Sequence, residues 1–520
     1  MSNSSTTKRA LDRWDPEDSE FWKTEGKAIA YRNLWISIPC LLCAFSVWLY
    51  WSIIVVQMKN LDFPFDEMQL FTLPAIAGLT GATLRIPNSF SIALCGGRNV
   101  IFYTTFLLII PALGVGLALQ NEQTSFTTFA ILAALSGIGG GAFASSMSNI
   151  SFFFPKRVQG TSLGLNAGLG NLGVSVMQVV LPIAMTVSIF GAWGGEGRFL
   201  TAKFGGPDGI VYIQNCGLIW VPILCILGIA AFFGMNNLPT VSPHMGSTVT
   251  ALLRMTILLL IGFFVAAIGV YCLLSLQLSK WIVLPMTILL TVLMMKLVPG
   301  DAQENLKKQY GIFRNKHNWI MTYLYTMTFG SFIGYSAAFP LLIRVVFGDL
   351  PDGTTNPNAP NPFAYAWLGP LVGSLIRPVG GWLSDKLGGA RVTQWDTVVM
   401  ILAALGVAYF VKLAAGSSTP EQYFTPFLIL FLILFVTTGI GNGSTFRMIP
   451  IIFDRHEAGP VLGWTSAVAA YGAFLIPQIF GEQTKVGTPE RALYGFAIYY
   501  LTCLLLNWYY YARKNAEIKC

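Results

Sequence analysis

Two arginines stand where a chain of this kind has least reason to carry charge. Arg85 and Arg377 each fall inside a long apolar run, and the acidic residues lie in tails, in loops or at run ends, with Asp66, Glu67, Asp385 and Asp396 the nearest. A guanidinium at such depth in a membrane is costly unless it faces a cavity or a counter-charge. Its planar fork of donors matches a planar oxyanion in bidentate fashion. Two such groups without an acid therefore imply an exchangeable anion. At about 7 Å apart they would repel by roughly 2–3 kcal/mol at an effective dielectric of about 20, and a bound anion cancels that repulsion. The competing assignment has each arginine bonded only to backbone carbonyls or reaching an interface. Arg447 has no counterpart elsewhere in the chain and sits near the end of its run, so it reads as an arginine that reaches the interface.

Other residues carry weaker signals. Glycines crowd one run at Gly160, Gly164, Gly168, Gly170 and Gly173, with Asn166 and Asn171 among them. The spacing Gly160, Gly164, Gly168 is the small-residue pattern that lets a second backbone approach. The two amides fit equally well as donors to an anion or as glue between helices. Phe45, Phe143, Tyr325 and Phe329 read first as packing; the Tyr325 hydroxyl makes it the strongest site candidate of the four. His244, His317 and His456 fall in loops, so no proton relay is evident at depth. Cys40 and Cys43 have CxxC spacing but sit in an apolar run with no second pair, and the eight cysteines read as small core residues rather than metal ligands.

The elements that must position the arginines are membrane helices. Hydrophobic residues make up 54% of the chain and charged residues only 11%, against about a quarter charged in soluble domains. Runs of roughly 20 apolar residues occur fourteen times. The spans start at Asn33, Glu67, Asn99, Phe126, Gly160, Gly209, Met255, Trp281, Trp319, Phe363, Val392, Tyr423, Pro460 and Tyr494. The second half repeats the first: Gly81-Ala-Thr-Leu-Arg85 matches Gly373-Ser-Leu-Ile-Arg377, Gly137-Ile-Gly-Gly-Gly141 matches Gly439-Ile-Gly-Asn-Gly443, and Leu163-Gly164 matches Leu462-Gly463. The near-constant offsets of 292, 302 and 299 residues imply two homologous six-helix halves with a site at their interface.

The fold class is thus an all-α membrane protein of the major facilitator type. Its expected parts are a tail over 1–32, a first half over 33–235, a linker with an inserted two-helix hairpin over 236–318, a second half over 319–511 and a short tail over 512–520. The hairpin, with no charge at depth, is expected to be accessory and to contribute no site residue. Loops on the side of the termini hold nineteen basic residues, Lys8, Arg9, Lys156, Lys307, Lys308 and Arg455 among them, against eight opposite, including Lys59, Lys203 and Arg344. That bias places both termini in the cytoplasm. The net charge of +8 therefore orients the chain and does not imply nucleic acid. Trp14, Phe21 and Trp22 are expected at the lipid interface.

Gly381-Trp-Leu-Ser-Asp-Lys-Leu-Gly-Gly-Ala-Arg391 resembles the facilitator loop signature that latches neighbouring helices. Gly164-Leu-Asn-Ala-Gly-Leu-Gly-Asn-Leu-Gly173, after Ser151-Phe-Phe-Phe-Pro155, resembles the first nitrate signature of the NarK-type nitrate/nitrite porters, and Gly463-Trp-Thr-Ser-Ala-Val-Ala-Ala-Tyr-Gly472, which includes Ser466, resembles the second. Thr328-Phe-Gly-Ser-Phe-Ile-Gly334 and Gly439-Ile-Gly-Asn-Gly-Ser-Thr-Phe446 also fit. The resemblance implies an inner-membrane transporter, not an enzyme, that needs no cofactor and works as a monomer. Its implied partners are nitrate, nitrite and the bilayer. Arg85 and Arg377 would clamp the anion, Asn171 and Tyr325 bond to it, and Phe45, Phe143 and Phe329 wall the site. Ala469 and Ala473 replace glycines common in the second signature, which is expected to loosen a helix crossing, and the hairpin departs from a twelve-helix pattern. Exchange of nitrate for nitrite is the leading expectation, proton-coupled symport the alternative, and a receptor or membrane anchor the contrasting class.

Overall fold

The computed structural model describes residues 11, 13–200, 209–243, 245–297, 303 and 310–520, without side-chain detail at 156, 160, 455, 456 and 459. Lys8, Arg9, Lys203, His244, Lys307 and Lys308 lie outside the described residues, as do the side chains of Lys156, Gly160, Arg455 and His456. Fourteen helical elements follow in order. The first six are α1 (Ser19–Asn60), α2 (Glu67–Cys95), α3 (Gly97–Ala118), α4 (Phe126–Phe153), α5 (Lys156–Ala184) and α6 (Asn215–Gly234). The hairpin is α7 (Thr248–Leu274) and α8 (Lys280–Met295). The second half comprises α9 (Lys316–Gly348), α10 in pieces (Pro362–Tyr365, Leu368–Leu375 and Arg377–Leu387), α11 (Gly389–Ala415), α12 (Pro420–Ile452), α13 (Arg455–Ala469 with Gly472–Lys485) and α14 (Glu490–Ala512).

Twelve helices among the described residues are long and apolar enough to cross a membrane. The two expected spans outside that set are the interrupted α10 and the 16-residue α8. One segment departs from helix: Arg198–Leu200 and Gly209–Val211 form an antiparallel two-stranded ribbon, so the sixth span starts at Asn215 and not at Gly209. Glycine there suits an exposed ribbon better than a helix interior.

The repeat is visible in local chemistry. Asp66 caps α2 through a capping box with Gln69. α2 then ends at Gly96 with φ +82°, and α10 ends at Gly388 with φ +88°. These glycines are 292 residues apart, the same offset as the two arginines. Only glycine takes this backbone region without strain, so equivalent turns lead from α2 to α3 and from α10 to α11. Both turns lie on the side that carries the termini, where Cys520 O accepts from Ala390 N at 3.0 Å. This is called the tail side below, and its opposite the far side.

The halves meet tightly on the far side and part toward the tail side. Lys59 at the end of α1 pairs with Asp349 at 3.1 Å and Glu67 at 2.8 Å. Arg344 on α9 pairs with Asp349 at 2.8 Å and donates through Nε to Asn60 Oδ1 at 2.8 Å. Gln478 Nε2 reaches Thr72 Oγ1 at 3.0 Å, and Gln178 Nε2 reaches Ser336 O at 3.0 Å, each across the halves. A Cβ on Gly78 would lie 2.3 Å from the Ala473 carbonyl. Ala473 therefore does not loosen this crossing, because Gly78 of α2 supplies the space.

On the far side Ser175 Oγ of α5 donates to Trp367 O beside α10 at 3.0 Å, and toward the tail side the picture reverses. Gly168 and Gly164 precede Ser175 by seven and eleven residues, about two and three helical turns, and share its face. Yet nothing lies within 4 Å of a Cβ built on either. The expected close approach occurs instead at Gly170, against Leu41, and at Gly173, 2.1 Å from Leu42 O.

The hairpin grips both halves. Gly262 and Gly269 of α7 lie against Leu84 and Leu79 of α2, and Lys280 opens α8 in an ion pair with Glu482 of α13. It places no hydrogen bond on Arg85 or Arg377, but it is more than an appendage. Lys280→Met is expected to cost about 1 kcal/mol of thermal stability, since Glu482 is half open to solvent. Adding Glu482→Leu should return the melting temperature to that of the parent.

The aromatic residues of the leading segment also pack inward. Trp14 donates to Phe152 O at 3.0 Å, and Trp22 is buried with its ring 5.8 Å from Phe154. They cover the end of α4 rather than meeting lipid, because α1 already begins at Ser19.

Candidate functional site

Arg85 lies on α2 with no exposed surface. Its Nε donates to Gly140 O of α4 at 2.9 Å, and its Nη1 donates across the halves to Ser466 O of α13 at 3.1 Å. Nη2 is buried with no partner among the described residues. The guanidinium carbon is 4.7 Å from the Phe143 ring centre, 5.1 Å from Phe329 and 5.3 Å from Trp48.

Arg377 opens the last piece of α10. Its guanidinium carbon is 4.4 Å from the Phe332 ring centre and 5.7 Å from Phe329. Nε and Nη2 are buried and unpartnered. Those two donors form the side-on edge of the fork, the edge that binds two oxygens of one anion. Both arginines thus converge on opposite sides of the contact network around Phe329. No carboxylate pairs with either of them among the described residues.

Aromatic rings line the space between them. Phe45 meets Phe143 edge-on at 5.9 Å, Phe143 stacks on Phe329 at 6.3 Å, and Phe329 stacks on Tyr325 at 5.7 Å with the planes 11° apart. Tyr325 is buried and donates to Asn442 Oδ1 at 3.3 Å. A π-helical turn over Thr326–Gly330 re-aims the residues that follow it, as such turns do at functional sites. Arginine faces on aromatic rings are attractive electrostatically, so the rings hold the forks while Arg85 Nη2 and the Nε–Nη2 edge of Arg377 are left without partners among the described residues.

The structure brings Arg85, Arg377, Phe45, Phe143, Tyr325 and Phe329 into one network. Asn171 stands apart from it: it is buried, its Nδ2 donates to Ala167 O of its own helix at 2.7 Å, and Oδ1 has no partner. Asn166 bonds Ser146 at 2.9 Å and ties α5 to α4. Ser466 acts through its carbonyl, since its hydroxyl is bonded to Gly463 O. Gly164 and Gly168 face open space in this conformation, a Cβ on Gly463 would meet Ser89 Oγ of α2 across the halves at 3.9 Å, and Gly170 packs against α1. Trp48 and Phe332 also contact the arginines and were not legible in the sequence; the glycines opposite Trp48 were the available clue.

Three acid and base assignments change. Asp396 is not at a helix end: α11 begins at Gly389, so Asp396 is its eighth residue, 7% exposed, with Oδ2 unpartnered. Gly441 and Thr328 lie beside it. His317 is within α9, buried, with Nδ1 2.9 Å from the Tyr511 hydroxyl. Arg447 pairs with Asp385, so the loop signature latches α10 to α12 and that arginine does not simply reach for the interface.

No profile of a known protein family matches the chain. It is 38% identical over 508 residues to a Thermus thermophilus protein named "Probable nitrate/nitrite antiporter NarK2", covering 98% of this chain and 97% of that one. It is 35% identical over 542 residues to the nitrate/nitrite transporter NarU of Escherichia coli strain K12, covering 100% of each, and 36% identical to NarU of Salmonella typhimurium. Among solved structures, a POT peptide transporter crystallised with sulfate matches with a TM-score of 0.57 at 13% identity, covering 93% of this chain and 96% of that one. That likeness carries the fold.

Proposed function

Because the chain belongs to the NarK-type nitrate/nitrite transporter family of the major facilitator class, we propose that it exchanges nitrate for nitrite by alternating access, with Arg85 and Arg377 clamping the anion. One observation carries the reading. Arg85 Nη2 and Arg377 Nε and Nη2 are buried donors without partners, set among stacked rings. A planar anion of one negative charge satisfies all three, and bonds to ionised donors are the strong ones. The donors and the rings around Arg85 are buried, and away from water such bonds gain strength. Tyr325 turns its hydroxyl proton from Asn442 Oδ1 to the anion, and Phe45, Phe143 and Phe329 form the walls. Asn171 belongs to the same site only after α5 moves.

The tail side is the cytoplasm in this reading, supported by the excess of basic residues there, and the protein works in the inner membrane as a monomer. The conformation is then open to the cytoplasm, with Lys59, Arg344 and Asp349 closing the outer face. An unloaded pair of arginines resists closure of the halves, so return requires a second anion.

Asp396 favours a second reading, proton-coupled symport, because it is a buried carboxyl with an unbonded oxygen. One assay separates the two. Labelled nitrate is expected to enter nitrite-loaded proteoliposomes fast and empty ones at least about tenfold more slowly, with or without a pH gradient. Robust entry into empty vesicles under an inward proton gradient would establish symport instead, and no entry under any condition would leave a receptor or anchor.

A further inference from the structure

Trp48 occupies a niche cut by glycines from two other helices. A Cβ on Gly81 of α2 would lie 2.3 Å from the indole Nε1, and one on Gly140 of α4 would lie 2.5 Å from Cε2. One on Gly139 would lie 3.2 Å from the Trp48 Cβ. The indole has no exposed surface, and Nε1 donates to Ala77 O of α2 at 2.7 Å. No side chain larger than hydrogen at 81 or 140 is compatible with that placement. What the niche holds in place is Arg85: its guanidinium carbon stands 5.3 Å from the indole, and its Nε is bonded to the carbonyl of Gly140, the residue that Trp48 packs against.

We infer that Trp48 is a positioning residue for the anion site, fixing the Arg85 fork so that Nη2 faces the anion. The inference rests on the exchange reading above. Trp48 touches Arg85 and not the anion, so its effect is on how well the arginine is aimed. The indole closes the fourth side of a cage whose other sides are Phe143, Phe329 and the Gly140 carbonyl. Without it the guanidinium gains rotational freedom and a second rotamer toward α1. Anion affinity falls because ordering that side chain is then part of binding, whereas the rocking of the halves is untouched.

Three variants test this in nitrite-loaded proteoliposomes. Trp48→Leu, which removes the ring face, is expected to raise the half-saturating nitrate concentration about tenfold while maximal exchange changes less than about twofold. Trp48→Phe retains a ring face and should keep most of the affinity. Gly81→Ala strikes the indole edge without touching Arg85 and should reproduce the Trp48→Leu shift. Adding Trp48→Phe to Gly81→Ala should restore part of the affinity, since phenylalanine lacks the benzo ring whose Cζ2 also meets that Cβ and so has room to shift away. A purely structural role predicts loss of folded protein and of maximal rate together, with no rescue in the double variant, and that pattern overturns the inference. Wild-type affinity in folded Trp48→Leu overturns it equally. If the parent protein itself exchanges no nitrate, it is the exchange reading that fails.

Discussion

Arg377→Lys leaves a folded protein that exchanges nitrate at least about a hundredfold more slowly than the parent. Two unpartnered donors on one edge of the guanidinium are lost, each worth roughly 1.5–3 kcal/mol when charge-assisted. Lysine offers a point charge on a flexible stem and cannot present two parallel donors. It also loses the flat contact with Phe332 at 4.4 Å. Arg85→Lys should fail by a similar factor with one added effect. Arg85 is bonded to Ser466 O across the halves, so its loss also shifts the balance between conformations, which spin-label distances between α5 and α10 would register. Labelled-nitrate counterflow, with gel filtration to check folding, measures both. Uptake near the parent level in either variant removes that arginine from the site.

Gly168→Leu separates folding from transport. Nothing meets a Cβ at that position in this conformation, so the variant should fold and bind nitrate from the tail side normally. Transport requires the other conformation, in which the tail-side ends of α5 and α10 come together as their far-side ends do at Ser175 and Trp367. A leucine on that face keeps the backbones apart, and packed interfaces forgive little added volume. Exchange should fall at least about fivefold, a lower bound set by the 1–3 kcal/mol that overpacking costs. Gly173→Leu is the contrast: its Cβ would sit 2.1 Å from Leu42 O, so it should fail to assemble. Exchange at the parent rate in Gly168→Leu would mean that α5 and α10 never close on that face.

The internal repeat made the helices and both arginines legible, because it supplies within one chain the comparison that a single residue lacks. Fourteen apolar runs correspond to fourteen helical elements, and the glycine turns at 96 and 388 carry the same offset. What the sequence hid depends on packing or on conformation. Asp396 looks terminal if its helix starts at Val392; Gly388, turning at φ +88°, starts it three residues earlier. Gly164 and Gly168 carry a close-packing pattern, but a pattern does not say in which conformation the packing occurs. Trp48 and Phe332 sit in apolar runs where an aromatic has no periodic signal, and only the facing glycines distinguish them. Trp14 and Trp22 have interface composition, yet the end of α4 gives them a drier place.

α8 is held at both ends. Lys280 is paired with Glu482, and Lys296 lies 6.0 Å from the Tyr310 ring centre, while Tyr310 bonds back to Val292 O. Its 16 residues rise about 24 Å at roughly 1.5 Å each, against about 30 Å of hydrocarbon. A helix tied at both ends resists sliding, and thinning of the surrounding lipid, at a fraction of a kcal/mol for each ångström, is one way to meet it. Such thinning would fall beside α2 and α13, which α8 touches, the pair that shifts when the halves rock. Acyl-chain length in the host bilayer thereby becomes a term in the conformational equilibrium, and shorter chains favour the arrangement in which α8 is anchored as seen here.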